Sequence, residues 1–287
     1  MRLYDRTVRR INVAHRMARA AVWGGGDLLV RALSRARGFE LPAEDLLPLH
    51  RLPLLLGAYE RETMAICRRL VTPGAVAVDV GAHVGYFTIA FARLTGPAGR
   101  VVAFEPHPQT CAILRRNVRR RHLAHVVVEQ QAVSDREGEA VFYETAWSMG
   151  HTLQPVKEHV GRTVVATTSL DAYLLRAGIT NVALVKVDAE GGEPEVVAGL
   201  EVTAARDPAP ALVLEFKPVL LERRGFQPAR LLARLTDMGF AVYVLRRGGM
   251  LWHVSAGQFD RFVRLAQSGN ILAHKGHPPL PVRDWTG

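Results

Sequence analysis

The chain has 287 residues, 48% of them hydrophobic, and a formal net charge of +10. That length fits one domain with additions at each end, and no uninterrupted apolar run approaches the ~20 residues that a bilayer span needs. Its two cysteines, Cys67 and Cys111, exclude a disulfide framework and suit a reducing, cytoplasmic setting. The basic N-terminus has neither a continuous apolar segment nor a small-residue cleavage site, so it does not read as a signal peptide. The excess charge has two readings, attraction to an anionic partner or arginines spread over solvated faces. No segment interleaves aromatic with basic residues, so nucleic acid is not expected as a partner.

In chain order, residues 1–23 carry helical periodicity. Tyr4, Val8, Ile11, Ala18 and Val22 share one stripe, and Arg2, Arg6, Arg9, Arg16 and Arg19 populate the other side. Gly24, Gly25 and Gly26 stop this segment. Such a basic amphipathic helix suits peripheral contact with the inner face of a membrane, and equally suits packing of its apolar stripe on the domain or on a second copy. Pro42, Pro48 and Pro53 break the next stretch into a short helix and loop. From residue 60 onward helix and strand patterns alternate: a helix at 60–70, a strand at 75–80, a helix from Gly85 to the Gly96-Pro97 break, a strand at 100–105, a helix at 108–121 and a strand at 125–130. This alternation predicts an α/β fold with a mostly parallel, doubly wound sheet.

Residues 139–170 depart from that rhythm. Segments 140–143 and 162–167 are strand-like with no helix between them, which predicts an antiparallel excursion. Its loop, carrying Trp147, Ser148, Met149, Gly150 and His151, is expected to act as a lid over an acceptor, with His151 as a candidate base or a plain loop residue. Strands resume at 181–187 and 211–216, a helix follows at 228–238, and segments 241–245 and 251–254 predict an antiparallel terminal hairpin. After a C-terminal helix, the tail with Pro278, Pro279 and Pro281 reads as irregular.

The spacing at the first strand carries the most information. Asp79, Gly81 and Gly85 form D-x-G-x-x-x-G, with Tyr86 and Phe87 opening the helix. The dinucleotide fingerprint G-x-G-x-x-G needs a glycine where this chain has His83, and a bulky side chain there obstructs a pyrophosphate. The pattern suits a ligand without phosphates whose amino-acid part lies along the turn, and S-adenosylmethionine is one. Glu105 ends the second strand 26 residues after Asp79, followed by Pro106, and an acid at that place accepts the ribose hydroxyls of a nucleoside. At the end of the third strand, Ala132, Val133 and Asp135 are further candidates to line the cofactor crevice, although Asp135 is also a good turn residue before Glu137-Gly138.

The D-V-G-A-H-V-G-Y-F segment from Asp79 to Phe87, the Phe104-Glu105-Pro106 segment and the Lys186-Val187-Asp188-Ala189-Glu190-Gly191 run followed by Glu193 together resemble the FkbM family of S-adenosylmethionine-dependent methyltransferases. The resemblance runs from about residue 57 to about residue 216. His83 stands where that family usually has Asn, and Gly192 where it usually has Ala. The resemblance implies a Rossmann-like class I methyltransferase fold, S-adenosyl-L-methionine as cofactor, and O-methylation of a hydroxyl on a small-molecule, glycan or glycolipid acceptor. It divides the chain into a basic extension (1–56), a methyltransferase domain (57–256) and a C-terminal remainder (257–287). Rival readings are a nicotinamide-dependent oxidoreductase, weakened by the missing glycine, and a non-catalytic scaffold at a membrane surface.

Methyl transfer to a sugar hydroxyl needs a base or an acidifying metal, because the hydroxyl pKa is high. Asp188 at the strand end is the first candidate, Glu190 the second, and His83 a rival. Glu193 suits the first turn of a helix, where an acid offsets the dipole. A divalent ion held by Asp188, Glu190 and Glu215 is an alternative to a base, although no metal is assigned.

Overall fold

The computed structural model describes residues 28–42, 48–145, 150–155, 159–266 and 269–286. The basic helix expected over 1–23 and the loop residues Trp147, Ser148 and Met149 lie outside the described residues. The chain divides into two compact units, Met1–Tyr59 and Glu60–Gly287. In the first, a helix α1 covers 28–37 and a helix α2 covers Pro48–Leu56. Pro53 sits inside α2, and its carbonyl accepts the amides of Ala58 and Tyr59 at 2.8 and 3.2 Å as the helix closes.

The second unit starts with α3 (Arg61–Leu70) and then alternates: β1 (Val76–Val80), α4 (Tyr86–Thr95), β2 (Arg100–Phe104), α5 (Pro108–Arg119) and β3 (Val126–Glu129). An excursion follows, made of β4 (Ala132–Val133), β5 (Gly138–Glu144) and β6 (Gly161–Thr168). The main alternation resumes with α6 (Leu170–Arg176), β7 (Leu184–Val187), α7 (Glu193–Ala198), α8 (Glu201–Ala204), β8 (Ala211–Phe216), α9 (Pro218–Arg223), α10 (Pro228–Asp237) and β9 (Ala241–Arg246). The chain ends with β10 (Met250–Val254), α11 (Phe259–Leu265), β11 (Gly269–His274) and β12 (Val282–Asp284).

Among the described residues the main sheet runs β12-β10-β9-β11-β8-β7-β1-β2-β3. The five strands from β8 to β3 are parallel. β9 and β10 form the antiparallel hairpin that the sequence predicts. The tail was expected to be irregular, and here the structure corrects the reading. β11 inserts between β8 and β9, antiparallel to both, and β12 adds to the outer edge beside β10. β5 and β6 pair antiparallel over seven residues, and β4 joins β6 in a separate three-stranded sheet, so the excursion forms as predicted.

Helices cover both faces of the parallel strands, which is why those strands read as apolar runs rather than alternations. Val78, Val102, Val185, Leu212 and Leu214 are fully buried in one continuous core with Leu170, Leu174, Leu231 and Leu235 from the helices and Leu200 from the turn before α8. Each such side chain contributes roughly 1.5–3 kcal/mol relative to exposure. The helix ends are tied by side chains. Ser169 accepts the Ala172 amide at the start of α6, and Asp171 accepts the amides of Val202 and Thr203 at 2.8 and 2.7 Å at the start of α8. Those bonds fix the elements on either side of β7. The strand order reverses between β7 and β1, and in open α/β sheets the crevice outside the carboxyl ends at that point is where ligands bind.

Candidate functional site

The turn after β1 is stitched to both neighbouring strands. The amides of Gly81 and Ala82 both donate to the Phe104 carbonyl, at 3.0 and 2.9 Å, and the Asp188 amide donates to the Val80 carbonyl at 3.1 Å. Gly81 has a φ of +73°, and a Cβ there would stand 1.8 Å from the Asp188 carbonyl oxygen. Glycine at this position is therefore required by the close approach of the chain leaving β7. His83 follows at a φ of +49°, unusual for a residue with a side chain. Gly85 caps α4, and Asn117 of α5 donates to the Val84 carbonyl at 2.9 Å, so the turn is also held from behind.

Asp79 is wholly buried. Its Oδ2 accepts from Thr88 at 2.6 Å, while Oδ1 has no hydrogen-bond partner among the described residues. Asp79 lies directly across from Lys186 in the β1–β7 register. Burial raises the Asp79 pKa and Lys186 opposes that rise. Lys186 itself is buried, 4.6 Å from the centre of the Phe87 ring, with its Nζ 3.2 Å from Asp188 Oδ2. Burial pushes its pKa down, but Asp188 and Asp79 outweigh burial and hold the ammonium charged. Asp79 and Asp188 thus flank the single ammonium of Lys186, which packs on Phe87 beneath the turn. Tyr86 is half-buried, with its ring set edge-on to Phe87 at 5.3 Å.

Glu105 ends β2 with its carboxylate held at both oxygens. The His107 amide donates to Oε1 and the His83 amide to Oε2, each at 2.9 Å. Burial raises its pKa to about 7, against the pull of these two amides. Pro106 lies between the acid and His107. Beyond them the excursion folds back. The His151 ring stands 4.6 Å from the His107 ring, and His107 Nε2 lies 3.8 Å from Glu144. The Thr145 amide donates to His151 Nδ1 at 3.0 Å, so in neutral His151 the proton sits on Nε2. Burial lowers His83 to about 4, so it is neutral near pH 7 and a weak base.

Ala132 and Val133 form β4, in register with Thr167 and Thr168, with both side chains buried. Asp135 lies on the turn beyond, exposed, accepting from Ser134 at 3.2 Å and 3.8 Å from Arg136. The structure joins it to none of the other predicted site residues.

The second half of the site is an acid cluster assembled from two strand ends. Asp188 and Glu190 follow β7, and Glu215 lies near the end of β8. These three acids each present an oxygen within 4.8 Å of the others. Lys217 reaches both Glu190 oxygens at 3.1 and 3.0 Å and Glu215 Oε1 at 2.7 Å. Burial, then Asp188 and Glu190, push Glu215 up to about 10, so it keeps its proton near neutral pH. Counted as ionised, Glu215 Oε2 has no partner; protonated, it donates to Asp188. Burial pushes Asp188 up, but Lys186 and Lys217 bring it below the usual carboxylate range. Burial and the neighbouring Asp188 raise Glu190 to about 7. The cluster therefore holds one carboxyl fixed as ionised, one fixed as protonated and one poised between. Oxygen donors at this spacing also suit a divalent cation, but two lysines already supply positive charge there.

Local bonds hold this arrangement in place. Glu190 has a φ of +46°, and Thr152 of the excursion donates to its carbonyl at 2.9 Å. Glu193 accepts the amides of Ala189 and Gly191 at 3.0 and 3.2 Å, which gives that acid a structural part in the turn before α7. Sequence reasoning missed Lys186, Lys217, His107 and Thr152. A lysine inside the otherwise apolar Leu184–Val187 strand was the available signal, since a buried lysine implies a nearby acid.

A methyltransferase FkbM domain matches residues 79–242, so the match begins later and ends further on than the motif resemblance. The chain is 32% identical to the 31-O-demethyl-FK506 methyltransferase FkbM of Streptomyces tacrolimicus, over 45% of this chain and 60% of that protein. It is 27% identical to the 2-O-methyltransferase NoeI of Sinorhizobium fredii, over 45% of this chain and 59% of that protein. The chain thus spans about three fifths of the length of these curated relatives. A solved FkbM methyltransferase from Methylobacillus flagellatus superimposes with a TM-score of 0.43 at 13% identity, over 90% of this chain and 60% of that one.

Proposed function

Because the chain belongs to the FkbM methyltransferase family, we propose that it catalyses S-adenosylmethionine-dependent methylation of a hydroxyl oxygen. The acceptor class we favour is a small molecule or glycan, either a sugar of a glycolipid or polysaccharide or a natural-product scaffold. The observation that carries this reading is the Asp188–Glu190–Glu215 cluster, balanced by Lys186 and Lys217, beside the glycine turn at the reversal point of the sheet. The names of the two curated relatives above both specify oxygen positions. Among the described residues, no helix is long and apolar enough to cross a membrane.

The residues fit the cofactor. Glu105 is a fixed acceptor at the end of β2 for paired hydroxyls, and the turn from Gly81 to Tyr86 leads into the positive end of α4, suited to a carboxylate. Asp79, wholly buried, acts on that turn from within through Thr88 and Lys186. When bound, S-adenosylmethionine supplies an electrophilic methyl group. The chain must then position the acceptor oxygen and take its proton. Asp188, held ionised, accepts a hydrogen bond from the hydroxyl and orients it. Glu190, with a pKa near neutrality, is better matched than Asp188 to receive the proton as the new C–O bond forms. The sequence order of preference, Asp188 before Glu190, is reversed on this argument.

Isothermal titration of the full chain with S-adenosylmethionine should show binding, and a radiolabelled methyl group should pass into glycolipid, polysaccharide or natural-product fractions. No binding, or binding of a reduced nicotinamide cofactor instead, would reject the reading. With Lys217 in the cluster, a sample dialysed against EDTA should keep most of its activity. Loss restored by Mg²⁺ would assign those acids to a metal.

A further inference from the structure

On the far side of β8 from the acid cluster lies a cavity of about 320 Å³. Successive side chains on a strand point to opposite faces, so Glu215 turns toward the acids while Phe216 turns into this cavity. The walls come from the ends of β8 and β9, the start of β11, α11 and the segment after β12. All those strand ends lie at the carboxyl edge of the parallel strands, because β11 runs antiparallel.

Most of the lining side chains are apolar, with Asn270 and Arg246 the polar ones. Phe216 and Phe262 stack at 5.7 Å with 17° between their planes, and Trp285 stands edge-on to Phe262 at 5.7 Å. Val244 and Leu265 complete the apolar wall. The one charged side chain is Arg246. Its guanidinium lies 4.6 Å from the centre of the Trp252 ring and has no carboxylate partner among the described residues. A ring leaves the in-plane N–H donors of a guanidinium unused, and those donors match a carboxylate or phosphate. Ligand sites are concave, mostly apolar and carry a few convergent polar groups, with volumes from roughly 300 Å³ upward.

We propose that this cavity binds a small amphipathic anion, an apolar ring or short chain seated among Phe216, Phe262 and Trp285 with its acidic group on Arg246. The site is separate from the methyl-transfer crevice and does not depend on the reaction assigned to it. The test titrates the full chain with 1-naphthoic acid and with its neutral counterpart, 1-naphthalenemethanol, by calorimetry. Naphthoate should bind more tightly than the alcohol. Arg246→Gln should weaken naphthoate about tenfold and leave the alcohol within about twofold, as a lost charge-assisted hydrogen bond predicts. Ala266→Trp, which fills the cavity from the end of α11, should weaken both. S-adenosylhomocysteine affinity, unchanged in both variants, reports that the fold is intact. The proposal is overturned if neither probe binds, if naphthoate and the alcohol bind alike and Arg246→Gln moves neither, or if Ala266→Trp leaves both affinities unchanged.

Discussion

The glycine turn and the acid cluster lie side by side and are charged in different ways. At the turn every acid has a fixed partner: Glu105 holds two amides, and Asp79 holds Thr88 opposite Lys186. In the cluster three carboxyls share the charge of Lys217 and Lys186, with Glu215 keeping a proton and Glu190 raised to about 7. The first arrangement suits holding a ligand in one geometry. The second suits moving a proton, because Glu190 sits near neutrality and its neighbours are pinned to either side. The two are joined by the Asp188 amide on the Val80 carbonyl and by Lys186 between Asp79 and Asp188, and most tightly where Gly81 meets the backbone of Asp188.

That junction is where the largest effect is expected. Gly81→Ala places a Cβ against a backbone carbonyl at 1.8 Å and strains a positive φ, and neither can be relieved by a side chain moving aside. It should destabilise the chain by about 3 kcal/mol or more, read as a fall of roughly 10 °C in Tm, with both halves of the site disturbed together. Gly85→Ala meets the end of the Leu114 side chain at 2.5 Å and should cost less, since that end can shift. Equal losses at the two positions would show that the Asp188 contact has no special weight.

Next in size is a variant that separates the halves. Glu190→Gln keeps the shape but removes the ionised carboxyl. kcat should fall by roughly 10²–10³, the range for loss of a general base, while affinity for S-adenosylhomocysteine changes less than about threefold. Glu105→Ala should do the reverse in the first instance, lowering that affinity about tenfold or more, because a buried, doubly held acceptor is lost. If Glu190→Gln weakens cofactor binding as much as Glu105→Ala does, the division of labour is wrong.

The first half was the more legible because it is nearly contiguous. Asp79, Gly81, Gly85 and Glu105 follow from one strand–turn–helix–strand stretch, where spacing alone limits what the chain can do. The acids Asp188, Glu190 and Glu215 were grouped from the sequence as an alternative ion site, but no local pattern sets Lys217, just after β8, against Glu190 and Glu215. The same limit applies to the fold. β1 to β3 and the β9–β10 hairpin were read from adjacent segments, whereas β11 pairs with β8 across more than fifty residues. Its buried core is only Ile271, Leu272 and Ala273, too short a run to separate a central strand from an irregular tail. Excursion residues such as Thr152 and His151 reach the site only through the folding back of β5 on β6.

A smaller effect would sharpen the assignment within the cluster. A base acts only when ionised, so kcat/KM should fall as pH drops below the Glu190 pKa, about tenfold per unit, and level off above about 7. Glu190→Gln should flatten that limb. Lys217 lowers the Glu190 pKa, so Lys217→Met should move the limb to higher pH. A limb that stays in place in both variants would point to another group, with Glu105, also raised to about 7, the first to examine.

The smallest effect concerns Asp135, and it sets the boundary of the first half. The residue is exposed, its contacts are Ser134 and a loose pairing with Arg136, and neither belongs to the turn or the cluster. Exposed pairs of this kind contribute about 0–1 kcal/mol. Asp135→Ala should therefore change S-adenosylhomocysteine affinity by less than about threefold and leave the pH profile of kcat/KM as it was. A loss comparable with Glu105→Ala would mean that Asp135 makes a direct contact in the complex, extending the rigid half of the site across the end of β3 to the β4–β5 turn.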